Sequence, residues 1–479
     1  MIIINTNCMQ PPIAPLGVDY IVTSLRQENI HVDLLDLCFA DDQKKILHQA
    51  FSKSSPRLVA LSFRNSDDSL WPRAQSFISD LTDTVTTIRK VTDAPILLGG
   101  VGFSLFPMQI MHKTGADFGI HGDGEQSIIS LMRELDRTRE FAHVPGLIWH
   151  EKGKILCNPP AWPKDIKIPT SRNGVDNLRY FMQGGQIGIE TKRGCDQNCS
   201  YCADHAAKGK SIRFRNPAEV ADEFESLVEQ GIDVFHTCDC EFNISYEHAL
   251  SVCDELIKRK LGQRIRWYAY CAVKPFDSVL AHKMAKAGCV GINFTGDSGS
   301  PTMLELYKQS HQPKDLAESV NLCKTHTIKV MVDLLLGGPG ETPETLKETI
   351  NFMKQINPDC IGASLGVRLY PGTMMTRLIY AEGPPESNPS IRRKYRGAIE
   401  LYKPTFYISQ LLGAHPAHLL HELVGNDTRF FKPALEGDYS LENQSQDYNY
   451  NDNNALIKAI ASGSRGAYWD ILHQLQNNE

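Results

Sequence analysis

Short apolar runs separated by amphipathic stretches of helical period fill the first 145 residues: Ile2-Ile3-Ile4, Val32-Asp33-Leu34-Leu35, Leu58-Val59-Ala60-Leu61-Ser62-Phe63, Ile96-Leu97-Leu98 and Phe118-Gly119-Ile120. This βαβαβ rhythm predicts a doubly wound, Rossmann-like parallel sheet over 1–145. Ligands of such sheets sit beyond the carboxyl ends of the strands. Here those ends carry Thr6 and Asn7, then Arg64 and Asn65, then Gly99, Gly100 and Gly102, and last Gly122, Gly124 and Glu125. Small or polar residues at so many strand ends predict a large ligand.

The pattern lapses over 146–185, where Pro159, Pro160, Pro163 and Pro169 interrupt any helical period, so a connector with a hairpin and a domain boundary are expected. From 186 the alternation resumes six times, with strands predicted around Ile189, Phe235, Trp267, Asn293, Met331 and Ser364. Six βα units predict a partial (β/α)6 TIM-like barrel over 186–380, with chemistry at its carboxyl-end rim. Residues 381–479 change character and read as a small, mainly helical C-terminal cap. Within it, the run Asp447-Tyr448-Asn449-Tyr450-Asn451-Asp452-Asn453 and the segment Arg465-Gly466-Ala467-Tyr468-Trp469-Asp470 read first as polar surface loop and second as a closure over the barrel.

Composition narrows the function. A chain of 479 residues fits about three domains. A net charge of -6 without a Lys/Arg block argues against nucleic-acid binding and favours a small-molecule substrate. No stretch approaches the ~20 apolar residues that span a bilayer, so membrane insertion is not expected. Thirteen dispersed cysteines behind an N-terminus without a signal-peptide pattern predict a reducing, cytoplasmic setting.

Three of those cysteines stand in Cys195-Asp-Gln-Asn-Cys199-Ser-Tyr-Cys202, in one loop directly after a predicted strand. Chance would produce roughly 0.01 such spacings at this cysteine frequency. Three thiolates in one loop suit a 4Fe-4S cluster whose fourth iron has no protein ligand. A structural zinc site with His205 as fourth ligand is the rival reading.

The motif resembles that of the radical S-adenosylmethionine (SAM) superfamily over about 186–373. Four further matches follow at successive strand ends: Cys238-Asp239-Cys240-Glu241-Phe242-Asn243, Gly296-Asp297-Ser298-Gly299, Leu336-Gly337-Gly338-Pro339-Gly340-Glu341-Thr342 and Tyr370-Pro371-Gly372-Thr373. The resemblance implies that Cys195, Cys199 and Cys202 hold the cluster, that SAM chelates the open iron, and that its reduction releases a 5′-deoxyadenosyl radical. It also implies that Tyr201 lies near the adenine, with a loop aromatic packed on the cluster as the alternative. The cobalamin-type branch ends its second strand in two consecutive acids before an aromatic; this chain departs from that, so both Asp239 and Glu241 are candidates for the SAM amine. Asp297 is a candidate for ribose or amine, and Gly338 for close backbone approach, with a tight turn free of ligand as its alternative.

The N-terminal region resembles the cobalamin-binding domain of cobalamin-dependent radical SAM enzymes, through Pro15-Leu16-Gly17 and Gly122-Asp123-Gly124-Glu125. Gly99, Gly100 and Gly102 suit the threading of a corrinoid's nucleotide tail, although glycine-rich strand ends suit flavins and other nucleotides too. The Asp-x-His-x-x-Gly motif that supplies a lower-face histidine is missing, and Arg64 is expected to keep that face free of a strong donor; a salt-bridged helix start is the alternative. The function implied is a cobalamin-dependent C-methyltransferase acting on an unactivated carbon of a small molecule through the adenosyl radical and methylcobalamin, with an external flavodoxin- or ferredoxin-type electron donor. A radical rearrangement, cyclisation or dehydration without methyl transfer is the alternative enzyme, and a corrinoid or iron-sulfur carrier the alternative of another class.

Overall fold

The computed structural model describes residues 1–53, 55–160, 162–435 and 449–478. Two seven-stranded sheets organise it. The N-terminal sheet is built from β1 (Ile2–Asn5), β2 (Asp33–Asp36), β3 (Val59–Ser62), β4 (Ile96–Gly99), β5 (Phe118–Ile120), β6 (Leu147–Glu151) and β7 (Lys154–Cys157), in the order β2-β1-β3-β4-β5-β6-β7. The first five strands are parallel. Their near-continuous Ile, Leu and Val content follows from burial on both faces, one core holding Ile2, Ile4, Leu61 and Leu98, the other Ile3, Ala60, Leu97 and Phe118. The hairpin expected in the connector is β6–β7. It pairs antiparallel with β5, so this sheet runs to Cys157 rather than ending near 145.

The second sheet holds the six expected strands, Ile187–Ile189, Val234–Thr237, Arg266–Ala272, Cys289–Asp297, Lys329–Leu336 and Cys360–Leu365, all parallel. The C-terminal region adds a seventh, Phe430–Phe431, parallel to the last. Alternating helices close the outside; one of them, Pro343–Ile356, opens with a capping box between Thr342 and Thr345 and with Pro343 in its first turn.

The C-terminal helix Tyr468–Asn478 enters at the opposite end of the barrel from the rim. Asp470 accepts from Tyr268 Oη at 2.7 Å and from Lys329 Nζ at 2.5 Å, and Trp469 meets Tyr268 edge-on, all near the amino ends of their strands. The segment 465–470 therefore seals the barrel floor and does not close over its rim. Of the Asn/Asp/Tyr run, Asp447 and Tyr448 lie outside the described residues. Asn449 donates to Asp68 at 3.0 Å and Asn451 to Gln75 at 3.5 Å, so this stretch lies against the N-terminal domain.

The two domains are joined by buried charge. Arg172, from the connector, donates to Asp19 of the first helix at 2.5 Å and to Glu223 of a barrel helix at 2.7 Å; Glu223 also pairs with Arg215 and accepts from Tyr20 Oη at 2.9 Å. The side chains of Asp19, Arg172, Glu223 and Arg215 are all 0% exposed. Two acids and two guanidiniums make the cluster neutral, which is the condition under which such burial is tolerated.

Candidate functional site

Beyond the first barrel strand, Lys192–Arg193 pairs antiparallel with Arg213–Phe214 and frames the cysteine loop. Ser200 N donates to Tyr307 O at 3.0 Å and Met375 N to Ser200 O at 2.8 Å, tethering the loop to two later barrel units. Cys195 is buried and Cys199 and Cys202 half-buried. Burial pushes all three thiols up, Cys199 to about 12, so each gives up its proton only as iron arrives. Among the described residues no three His, Cys, Asp or Glu side chains converge on a point that would hold a single ion. A structural zinc gathers four ligands on one ion, whereas a cubane takes each thiolate on a separate iron. The loop fits the cluster.

The rim carboxylates divide into two kinds. Asp239 is engaged by the protein: it accepts from Thr191 N and Lys192 N at 2.7 and 3.1 Å and from Thr191 Oγ1 at 2.7 Å. Glu241, two residues on, accepts from Thr295 Oγ1 at 2.5 Å, and its Oε2 is buried without a partner among the described residues. Burial pushes Glu241 up to about 7. Asp297, pushed up to about 7 for the same reason, accepts from Tyr201 Oη at 2.8 Å and Gln309 Nε2 at 2.5 Å. Glu241 and Asp297 both lie at positive φ (69° and 55°), a left-handed backbone they share with ten other non-glycine residues among those described. Once ionised, a buried carboxyl with an open oxygen can accept from an ammonium group, and Glu241 has such an oxygen whereas Asp239 is already engaged by Thr191 and Lys192. Asn293 Oδ1, Thr237 Oγ1 and Glu341 Oε1 are also buried and unpartnered around the rim. Gly338 serves the packing: a Cβ there would lie 2.4 Å from Tyr307 Oη.

Gln309 was not signalled by any sequence motif. It stands two residues beyond the helix Pro301–Tyr307, and its Nε2 lies 3.5 Å from Cys199 Sγ and 3.3 Å from Tyr201 Oη, linking the cluster loop to Asp297.

On the N-terminal side, the order β2-β1-β3 places the topological switch point at the carboxyl ends of β1 and β3. A cavity of ≈ 390 Å³ opens there, lined by Thr6, Asn7, Phe63, Arg64, Asn65 and Asn451 among others. Asn7 Nδ2 and Arg64 Nη1 are buried without partners, while Thr6 Oγ1 is held by Ser62 O at 2.7 Å and Asn65 Nδ2 lies 3.4 Å from Met9 Sδ. The cavity and its two open donors fit the polar tail of a corrinoid. Not every strand-end residue faces it. A Cβ at Gly100 would strike Phe63 O at 2.5 Å and one at Gly102 would strike the Asn65 carbonyl carbon at 2.8 Å, so both allow close backbone contact within the protein. Gly17 and Gly99 are left open, with no atom within 4 Å of such a Cβ. Gly122 lies under Trp162 and Gly124 against Ile21. Glu125 is taken by Arg193 of the barrel at 2.7 and 3.0 Å, a clamp between the domains. Leu16 packs with Tyr20 and lies beside Gly188 of the first barrel strand.

The two sets of strand ends come together near Arg64, which has Cys238, Tyr468 and Tyr270 around it. Tyr270 keeps 41% of its surface accessible and Cys238 is exposed, yet burial pushes the Cys238 thiol up to about 11 and the Tyr270 phenol higher still. Burial pushes the Arg64 guanidinium down, with Cys238, Tyr468 and Tyr270 as its electrostatic neighbours. His236, whose ring centre is 5.0 Å from that of Tyr270, is pushed down to about 4 and so is neutral.

The comparisons with known proteins agree with this division. Residues 189–353 match the Radical SAM superfamily and residues 2–131 the B12 binding domain. The chain is 32% identical over 433 residues to the tryptophan 2-C-methyltransferase of Streptomyces laurentii, covering 77% of this chain and 72% of that protein. It superposes with TM-score 0.90 and 31% identity on the radical SAM methyltransferase TsrM from Kitasatospora setae, solved with tryptophan substrate and a SAM analog, covering 100% of this chain and 98% of the other. A second structure of that protein holds cobalamin and a 4Fe-4S cluster; it matches with TM-score 0.89 and 29% identity over 99% of this chain and 97% of the other. The cobalamin-dependent SAM radical enzyme OxsB shares the fold at TM-score 0.72 and 17% identity, over 85% of this chain and 64% of that one.

Proposed function

Because the chain belongs to the family of cobalamin-dependent radical SAM enzymes, with a 4Fe-4S cluster, SAM and cobalamin as its cofactors, we propose that it is a C-methyltransferase whose methyl acceptor is tryptophan or a close relative. What carries this reading is the meeting of two strand-end sites, which we take to bound the substrate chamber: at the barrel rim, buried carboxyls with open oxygens; at the N-terminal rim, the switch-point cavity lined by Arg64. When bound, the cluster supplies an electron to SAM and the cobalamin carries a methyl group.

The protein's own residues do the rest. Glu241 holds the SAM amine with its free oxygen. Asp297, oriented by Tyr201 and Gln309, accepts from the ribose hydroxyls. Arg64, a cation with no tendency to ligate a metal, keeps the corrinoid face it approaches free of a strong donor. Tyr270 and His236, their ring centres 5.0 Å apart, offer ring faces and hydrogen-bonding tips suited to an aromatic amino acid. The electron donor we assign is an external flavodoxin- or ferredoxin-type protein. The setting we assign is the cytoplasm, supported by thirteen cysteines of which none is joined in a disulfide.

The test is incubation of the reconstituted protein with tryptophan and SAM labelled as the trideuteromethyl form. Label in tryptophan together with S-adenosylhomocysteine supports methyl transfer; 5′-deoxyadenosine without labelled product would favour the rearrangement reading instead.

A further inference from the structure

The segment 64–77 leaves β3 as an excursion closed at its base, where Asp67 bridges Ser76, Asp68 N donates to Gln75 O at 3.1 Å and Phe77 N to Ser66 O at 2.9 Å. It then crosses to the barrel. Asp67, its side chain 0% exposed, accepts from Arg368 Nη2 at 2.8 Å and Nε at 3.3 Å. Arg368 follows the sixth barrel strand and is 5% exposed. Its other donors reach Leu369 O at 2.6 Å and Leu401 O at 3.0 Å, and its guanidinium lies 4.8 Å from the Tyr370 ring centre. Asp67 is completed by Ser69 N at 2.9 Å and Ser66 Oγ at 3.2 Å.

A pair this deeply buried gains little net stability over an apolar pair of the same volume, because desolvation offsets the attraction. What it supplies is geometry, since a guanidinium that meets a carboxylate through two of its nitrogens fixes distance and angle together. The residue whose placement is fixed in this way is Arg64, three positions upstream on the same excursion. We propose that Asp67 and Arg368 form a positioning pair across the domain interface, which sets where Arg64 stands in the chamber and so tunes the environment of the cobalt. This rests on the reading of Arg64 given above.

The experiment compares the full-length wild type with Arg368→Lys and with the charge-neutral double variant Asp67→Asn/Arg368→Gln, which leaves no unpaired buried charge. Hydroxocobalamin retention, the electron paramagnetic resonance spectrum of the cobalt(II) form and amide exchange over 64–69 in the cofactor-free protein are measured beside the melting curve. The double variant is expected to melt close to wild type, to retain hydroxocobalamin about tenfold more weakly, the low end of outer-shell effects, and to show an altered cobalt spectrum with faster exchange in 64–69. Arg368→Lys, which keeps the charge and loses the fork, falls between. Wild-type retention, spectrum and exchange in the double variant would overturn the proposal whatever the melting temperature does. Arg64→Ala separates the two ideas: if it leaves the cobalt spectrum unchanged, the reading of Arg64 fails, while exchange over 64–69 still decides whether the pair positions the segment.

Discussion

The two walls of the chamber are both rims of parallel sheets, yet they treat their polar groups differently. The barrel rim leaves Glu241 Oε2, Asn293 Oδ1, Thr237 Oγ1 and Glu341 Oε1 buried and unpartnered. The N-terminal rim ties most of its polar groups to protein: Asn5 to Asp36 and Tyr180, Thr6 to Ser62 O, Asp67 to Arg368, Glu125 to Arg193. At the switch point Asn7 Nδ2 and Arg64 Nη1 are left open, with Asn451 Oδ1 across the cavity from the C-terminal region. A small charged ligand must be recognised group by group, and the barrel is prepared for that. A large corrinoid is recognised by shape and by the cavity that takes its tail, so the N-terminal wall is prepared by rigidity.

Several measurements would break or sharpen this contrast. Replacing Cys195, Cys199 and Cys202 together by Ala should abolish the cluster's visible absorbance and all turnover of SAM while leaving hydroxocobalamin bound; loss of corrin as well would mean the walls are not independent. Arg172→Met leaves the buried Asp19 without its guanidinium and Glu223 with Arg215 alone, and should cost about 3–5 kcal/mol in chemical denaturation. Glu241→Gln should weaken SAM binding roughly tenfold to a hundredfold by calorimetry, the range for a charge-assisted hydrogen bond.

The same carboxyl predicts a pH dependence. Free Glu241 titrates at about 7, among Thr295, Lys192, Asp333 and Asp204, whereas the bound amine requires the carboxylate. Below pH 7 binding must release a proton, so affinity should rise up to about tenfold per pH unit and level off above 7, with Glu241→Gln flattening the curve. For the apo protein the sign is opposite. A carboxyl raised on folding contributes stability that is present in acid and lost as pH climbs from its unfolded value through about 7. The smallest effects belong to single contacts. Gln309→Leu removes an N–H directed at Cys199 and should lower the cluster's midpoint potential by on the order of 50 mV, about one hydrogen bond's worth. Arg64→His should place a nitrogen ligand on cobalt, and an unchanged cobalt(II) spectrum would falsify the role given to Arg64.

Periodicity alone made both sheets legible, because parallel strands covered on two faces must be continuous apolar runs between amphipathic helices. The cluster loop was legible because its chemistry demands three thiols in one short segment. What could not be read was direction. Gly100 and Glu125 look like ligand-facing strand ends, but one accommodates the Phe63 backbone and the other holds Arg193, and only the docking of the domains decides which way a polar strand end faces. Asp239 and Glu241 were indistinguishable in sequence, since what separates them is whether Thr191 and Lys192 already occupy the carboxylate. Gln309, Arg172 and Arg368 carry no motif; each matters through a partner far away in the chain.

The neutral quartet of Asp19, Arg172, Glu223 and Arg215 has a consequence for how such an enzyme can be rebuilt. Its members come from the first N-terminal helix, the connector and two positions of the barrel, so no cut between the domains leaves either fragment electrically balanced inside. Transplanting the cobalamin module onto another barrel, or shuffling the connector between relatives, would succeed only when all four travel together. The two modules are distinct as folds but electrically one part.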